Sequence, residues 1–296
     1  MQFFNIRDIE NLTGIKAHTL RTWERRYGII MPLNTPGKHR MYDNNDLKQI
    51  LRISTLYHGG YKISKIAGMS LDEMSINTLQ LETKTNFEVF INRFIEFTVD
   101  LNEVEFKQLF SELRESIDEK DLYLHIIFPV LHRIGNLWMV GNMMPVQEHF
   151  ASNLIRSSLI NSIDNVNHGV KKSSSRAILF CPENEYHELP LLLLHFILKQ
   201  QGVKVMYMGT NTKLDTLAYS IQKFEPSIVI AYLITNFAEV DLDQYVKNLK
   251  QVSNKAKLFC GGPGFRTATQ NENKTILFNS FKQLIEALES IHFHNN

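Results

Sequence analysis

The chain lacks most of the features that would commit it to the large disulfide, metal or membrane classes. Only two of its 296 residues are cysteine, Cys181 and Cys260, far apart and outside any metal-ligand spacing. That excludes a disulfide framework and a zinc module, and makes a reducing cytoplasm the expected compartment. The longest apolar runs, such as Leu189–Leu198, carry a proline or histidine and fall well short of the roughly 20 residues that span a bilayer. No membrane role is expected. The first residues enter a helical pattern with no signal peptide ahead of it. No internal repeat or low-complexity segment is present. Gly261-Gly262-Pro263-Gly264 follows a strand pattern but lacks the lysine and spacing of a phosphate-cradling loop. With no nucleophile–base pair in view either, enzyme activity is not expected.

Net charge is also scarce, at +1, but it is unevenly placed. Residues 1–70 hold eleven Lys/Arg against five Asp/Glu, a balance of +6, which leaves −5 for the remainder. A nucleic-acid surface therefore belongs at the N-terminus, and general polyanion binding is excluded elsewhere. A length of 296 residues suggests two or three domains. Hydrophobic content of 44% gives ample material for their cores.

The basic excess centres on His18 to Tyr42, HTLRTWERRYGIIMPLNTPGKHRMY, where Arg21, Arg25, Arg26, Lys38, His39 and Arg40 stand among Trp23, Tyr27 and Tyr42. Leu20, Trp23 and Tyr27 fall at helical spacing and give the helix one buried face. Arg21 and Arg25 then share an adjoining stripe toward solvent. Gly28 stops the helix, and Pro32 and the Thr35-Pro36-Gly37 turn precede Lys38-His39-Arg40. A basic helix followed by a basic loop suits duplex DNA, the helix in the major groove and the loop at flanking phosphates. A few arginines more commonly mark a merely solvated face. Here helix, turn and basic loop follow one another in the order that points to DNA.

These residues resemble the MerR family of winged-helix transcription regulators over Phe4 to about Met69. Asn5–Thr13 is similar to the first helix, Gly14-Ile15 to the turn, and Thr19-Leu20-Arg21-x-Trp23-Glu24-Arg25-Arg26-Tyr27-Gly28 to the recognition helix. Pro32 and Gly37-x-His39-Arg40-x-Tyr42 resemble the wing. Asp46–Tyr57 and Gly59–Ala67 resemble the supporting helix pair. The resemblance implies DNA contacts from His18, Thr19, Arg21, Thr22, Arg25, Arg26, Lys38, His39, Arg40 and Tyr42. Thr22 departs from the aromatic residue that many members carry.

Beyond this domain, at 1–70, the polar stretch 71–85 loses periodicity and is expected to be a linker. From 86 to 170 the pattern is helical. Phe87, Phe90, Ile91, Phe94 and Ile95 form one apolar stripe, and Val104, Phe106, Leu109, Phe110 and Leu113 another. Leu122–Trp138 and a helix with Phe150, Leu154, Leu159 and Ile160 complete an expected four-helix bundle. No single long heptad helix is present, so a different assembly mode from that of many MerR proteins is expected. Lys171–Ser175 is a second linker by composition. From 176 to 296 short branched or aromatic segments at Ala177–Cys181, Lys204–Met208, Ile228–Leu233 and Lys257–Cys260 alternate with helical ones at Leu191–Gln201, Leu214–Phe224 and Leu242–Gln251. Thr275–Phe278 and Ser280–Ser290 extend the alternation. The expected fold is an α/β Rossmann-like, flavodoxin-like parallel sheet, with ligands beyond the carboxyl ends of its strands.

Two constellations fall near such a site. Glu185-x-His187 follows the first strand; a histidine there can offer a metal a neutral nitrogen, with Glu185 holding the other. A lone loop histidine is more often just solvated. Trp138 with Glu148-His149 spans the turn between the last two bundle helices, either as helix-end packing or as a lid over a cofactor. Together they resemble the cobalamin-binding module of the light- and cobalamin-responsive repressors of carotenoid genes, a branch of MerR regulators. That resemblance implies Trp138, Glu148 and His149 over the upper face of a corrin. It implies His187 as the cobalt ligand from below, within Glu185-Tyr186-His187-Glu188-Leu189-Pro190, and Gly261-Gly262 as room for the nucleotide tail. This sequence departs from the motif at Pro190, where glycine is usual, at Tyr232, where a serine is usual, and at Met139, where the light-sensing branch has a cobalt-capturing histidine. Proline is tolerable in a helix's first turn, whereas a tyrosine ring at 232 would fill the tail cleft.

The expected function is a DNA-binding transcription regulator, a dimer or tetramer. Its C-terminal half would sense a cobalamin and set the oligomeric state that binds operator DNA. The alternatives are a cobalamin-independent regulator that answers to a protein partner and, less favoured, a corrinoid enzyme.

Overall fold

The structure is a computed structural model that describes residues 3–30, 33–34, 40–79, 87–139, 143–166, 174–235, 241–266, 268, 275–278 and 280–291. The chain divides into two compact units, Met1–Ile155 and Arg156–Asn296.

The first unit opens with β1 (Phe4–Asn5) and α1 (Ile6–Thr13). Asn5 caps α1 from outside while Asp8 returns a bond to the Asn5 amide, so the helix start is fixed by a reciprocal box. Gly14, at φ +71°, ends α1 in the left-handed conformation and turns the chain into α2 (Ala17–Tyr27), which Gly28 ends likewise at φ +62°. β2 (Leu33–Asn34) and β3 (Arg40–Tyr42) pair antiparallel, and β3 also pairs with β1, giving a small wing sheet of order β1-β3-β2. Then α3 (Asn44–His58) starts on a second box between Asp43 and Asp46, and α4 (Ile63–Ile66) follows. The expected recognition helix, wing and supporting helices are all present; the predicted loop residues Pro32 and Thr35–His39 lie outside the described residues.

The expected linker 71–85 is corrected over its first half. Leu71–Leu79 form α5, whose buried Met74 and Thr78 face inward, while Tyr61 Oη donates to Asn77 Oδ1 at 3.1 Å. The bundle comprises α6 (Phe87–Val99), α7 (Glu103–Ser116), a run of α8 (Glu119–Leu122), a π turn (Tyr123–Ile127) and α9 (Phe128–Met139), and finally α10 (Pro145–Asn165). Its centre is aromatic: Phe94 stacks at an angle on Phe106 and Phe110, and Phe110 meets Tyr123. The predicted α7 stripe is buried except for Val104, which is 73% exposed because it stands in the helix's first turn, outside the Phe106–Leu113 face.

The second unit is a sheet of β4 (Arg176–Pro182), β5 (Lys204–Thr212), β6 (Ile228–Tyr232), β7 (Lys257–Gly261) and β8 (Thr275–Phe278), all parallel, in the order β5-β4-β6-β7-β8. The connecting helices are α11 (Leu189–Gln200), α12 (Leu214–Phe224) and α13 (Leu242–Ser253), with α14 (Phe281–Ser290) last. This is the flavodoxin-like order with its switch point between β4 and β6, where the loops after two adjacent strands diverge. β4 is buried along almost its whole length, as a strand covered on both faces must be. Ile178, Phe180, Val229 and Ala231 pack with Leu217, Val246 and Leu249 of α12 and α13. Among the described residues no helix is long and apolar enough to cross a membrane.

Phe94 is fully buried between rings it touches on two sides. Phe94→Ala is expected to lower the unfolding free energy of the first unit by about 3–5 kcal/mol, read from the urea midpoint.

Candidate functional site

The recognition face is built as amphipathic spacing requires. Leu20 and Trp23 of α2 are buried, and Trp23 meets Tyr57 of α3 edge to face at 4.9 Å between centroids. His18, Arg21, Thr22, Arg25 and Arg26 are exposed, and Thr19 is half-buried. Thr22 spends its hydroxyl on the His18 carbonyl at 2.9 Å. Arg40 Nε donates to both oxygens of Glu24, at 2.9 and 3.2 Å, so it ties the wing strand to α2. Tyr42 corrects the expectation of a DNA contact: it is 2% exposed, paired opposite Phe4 in the wing sheet. Burial, helped by Glu24, pushes its hydroxyl up to about 12. It is a core residue because β3 is the central strand, and the side chain at its last position faces inward. Lys38 and His39 lie outside the described residues.

In the second unit, the loop after β4 carries Glu185 and His187 to the switch point. The Glu185 side chain is 0% exposed. Its Oε1 accepts from the Tyr186 and His187 amides, each at 2.8 Å, and meets His187 Nδ1 at 2.6 Å. Its Oε2 accepts from the Ile234 amide at 2.7 Å, the Thr235 amide at 2.8 Å and Thr235 Oγ1 at 3.0 Å. Burial alone would raise this carboxyl, but the bonds from the His187 ring and from the Thr235, His187 and Ile234 amides outweigh it and hold the group at about 2. With Nδ1 committed to Glu185, Nε2 is the nitrogen of this ring suited to a metal, and the ring is 56% exposed. The neighbouring Glu188 accepts from Tyr207 Oη of β5 and from Arg156 Nε at 2.5 Å. Pro190 sits in the first turn of α11, where its missing N–H costs nothing.

At the end of β7 the expected open space is taken by the chain itself. A Cβ on Gly261 would lie 2.7 Å from Leu284 Cδ2 and 3.2 Å from the Tyr232 ring; one on Gly262, at φ +105°, would lie 2.2 Å from the Leu233 carbonyl oxygen. Tyr232 is buried and stands edge-on to Phe281. Both glycines are thus required by the close packing of Leu284, Tyr232 and the Leu233 backbone around the end of β7.

In the first unit, Trp138 stands one residue before the end of α9, half-exposed at 50%, with Met139, Met144 and Val146 also exposed. Glu148 Oε2 meets His149 Nδ1 at 2.9 Å on the opening turn of α10. Sequence reasoning missed Thr235 and Ile234, whose part is played mainly by backbone amides about fifty positions from Glu185, and it gave Glu188 no role.

Comparison with known proteins defines the class. The family described as MerR HTH family regulatory protein matches residues 4–72, and B12 binding domains match residues 91–160 and 175–288. The chain thus carries a region that matches the MerR HTH family, followed by two regions that match B12 binding domains. It is similar to the HTH-type transcriptional repressors CarA and CarH of Myxococcus xanthus. CarA is 26% identical over 97% of this chain and 94% of that one; CarH is 22% identical over 84% of each. The HTH-type transcriptional regulator MlrA of Escherichia coli is 22% identical over 77% of this chain and 85% of its own. Among solved structures, the monomethylamine corrinoid protein of Methanosarcina barkeri superposes with a TM-score of 0.52 at 14% identity, over 67% of this chain and 96% of that one, a likeness of fold.

A corrin is partly fitted by these residues. A carboxylate-oriented histidine at the switch point matches the donor that cobalt accepts, whereas Tyr232, Phe281 and Leu284 occupy the space beside Gly261.

Glu185 holds its proton less tightly when folded than the ordinary carboxyl value of 4.5, so it stabilises the fold above about pH 4.5 and loses that contribution as pH falls toward 2. Glu185→Gln is expected to cost roughly 1–3 kcal/mol at pH 7. The gap to wild type should narrow on acidification, as read from urea midpoints at pH 7 and 3; an equal gap at both would show that ionisation of Glu185 is irrelevant.

Proposed function

We propose that the chain regulates transcription by binding operator DNA as a homo-oligomer, a dimer or tetramer, and that a cobalamin controls that assembly. The observation that carries the reading is the Glu185–His187 pair at the switch point, a buried carboxylate holding an exposed imidazole by Nδ1. His187 is the proposed lower ligand of cobalt. In the helical unit Trp138, Glu148 and His149 are the proposed corrin-facing set, supported by the exposure of Trp138 and by the B12 binding match over residues 91–160. When bound, the cofactor would supply a cobalt centre whose upper ligand can be exchanged. Arg21, Arg25 and Arg26, with His18, Thr19 and Thr22, are the proposed DNA contacts of α2, and Lys38, His39 and Arg40 those of the wing. Arg40 also braces the wing on Glu24.

The regulatory relatives support a non-enzymatic role and a site of action in the cytoplasm, where the DNA is. The two named repressors support repression as its sign. A second reading, a regulator that works without cobalamin and answers to a protein partner, is favoured by Tyr232. Its ring lies against Phe281 and close to Gly261, where the tail of a cobalamin would thread.

Two measurements test the proposal. Purified protein incubated with adenosylcobalamin in the dark and then desalted is expected to keep corrin absorption, and His187→Ala to lose most of it. A colourless wild-type protein would support the second reading. Replacing both Arg21 and Arg25 with Ala is expected to weaken DNA binding by roughly 1–3 kcal/mol for each arginine that reads a base; unchanged affinity would remove them from the interface.

A further inference from the structure

The turn between α1 and α2 is held from behind by side chains of the bundle. Arg133 of α9, only 15% exposed, donates from Nη1 to the Leu12 carbonyl at 2.7 Å and from Nη2 to both oxygens of Glu88 at 2.8 Å. Leu12 is near the end of α1, where carbonyls have no partner within the helix and a cation meets the negative end of the dipole. The adjacent Thr13 carbonyl accepts from Ser54 Oγ at 3.1 Å, and Asn92 Nδ2 of α6 donates to that same Oγ at 3.1 Å. A Cβ on Gly14 would find Glu88 Oε2 at 3.9 Å, so the carboxylate that Arg133 grips lies over the turn itself. On the other side of the turn, Glu10 Oε2 accepts from the Ala17 amide at 2.9 Å and caps α2, whose N-cap residue Lys16 makes no side-chain cap of its own. The end of α1 therefore sets where the recognition helix begins.

Arg133 shares α9 with Trp138, five residues or about 7.5 Å further along the axis. The chain enters α9 through the π turn Tyr123–Ile127, immediately ahead of Pro129. Proline has no N–H and its ring crowds the carbonyl four residues back, that of His125. The widened turn accommodates this and leaves α9 joined to α8 by an irregular ladder. Beside its buried residues Val130, Ile134 and Leu137, α9 meets the turn through Arg133, at Leu12 and Glu88, and carries the exposed Trp138 near its far end.

We infer that Arg133 is a positioning residue that passes the state of the Trp138 end of α9 to the recognition helix within a single subunit. A shift of α9 moves the guanidinium, and with it the α1 terminus and the start of α2. The inference rests on the proposed cobalamin reading of Trp138. Its test is the affinity of the full chain for a duplex that the wild type selects from a random-sequence pool, with and without adenosylcobalamin in the dark. Retained corrin absorption and thermal unfolding are followed in parallel. Wild type is expected to change affinity by about fivefold or more, and Arg133→Ala, still folded and still coloured, by less than about twofold. Arg133→Lys, which offers one point of contact in place of a fork, should fall between them. Glu88→Gln keeps the Leu12 bond and weakens the grip; should Arg133→Ala fail to fold, a reduced response in Glu88→Gln decides in its place. Hydrogen exchange at the Gly14 and Ile15 amides should respond to adenosylcobalamin in wild type and not in Arg133→Ala. A wild-type response in the folded Arg133→Ala or Glu88→Gln protein would overturn the inference alone. A wild type whose DNA affinity ignores adenosylcobalamin would overturn the sensing reading along with it.

Discussion

An ionised carboxylate with no exposure to water is tolerable only when its oxygens are fully occupied by donors, and Glu185 meets that condition with four backbone amides, a hydroxyl and an imidazole. The consequences spread outward. The loop after β4 and the segment after β6 are pinned to one carboxylate, so the mouth of the switch point has a single shape. The same bonds fix which nitrogen of His187 faces the carboxylate. Cys181, just below, donates weakly to the His187 carbonyl and is kept protonated by burial and by the nearby Glu185 and Glu188, so it does not compete as a thiolate ligand. Glu188 repeats the device on a smaller scale, spending its oxygens on Tyr207 and Arg156.

In the first unit, charge is sorted rather than merely accumulated. The basic residues of α3 are answered by acids of α6 and the turn after it: Arg52 by Glu96 and Lys48 by Asp100, each at 2.5 Å. Arg40 is answered by Glu24. The arginines of α2 that remain exposed, Arg21, Arg25 and Arg26, have no acidic partner among the described ion pairs. Arg21, Arg25 and Arg26 thus leave a run of positive charge on the one helix shaped for a groove, while Lys48 and Arg52 join the winged helix to the bundle.

Much of this was legible in the sequence. Periodicity located α2, the bundle helices and every strand of the sheet, because a helix with one apolar face and a strand buried on both faces leave strong patterns. Gly14 and Gly28 announced their turns. α5 was missed because Leu71 and Ile76 face solvent and blur its period. A signal was nonetheless present: Ser70 and Glu73 form the reciprocal N-terminal box, with the Ser70 amide on Glu73 at 2.7 Å and the Glu73 amide on Ser70 at 3.2 Å. Tyr42 misled because a tyrosine among cations reads as a contact residue, and only strand pairing reveals which way it faces. The six-donor shell of Glu185 could not be read at all, since backbone amides carry no residue identity. The filling of the space beside Gly261 was half visible, in Tyr232, while Phe281 and Leu284 entered only through the fold.

The π turn between α8 and α9 has a bearing on how this chain tolerates insertions and deletions. One residue advances an α-helix by about 100°, so a π turn amounts to a single extra residue absorbed without carrying that rotation forward. Loss of one residue between Tyr123 and Ile127 would either straighten the helix against Pro129 or turn everything beyond it. Arg133 would then leave Leu12, and Trp138 would swing to another side of the bundle. The angular phase of the whole α9 surface is stored in that one irregular turn.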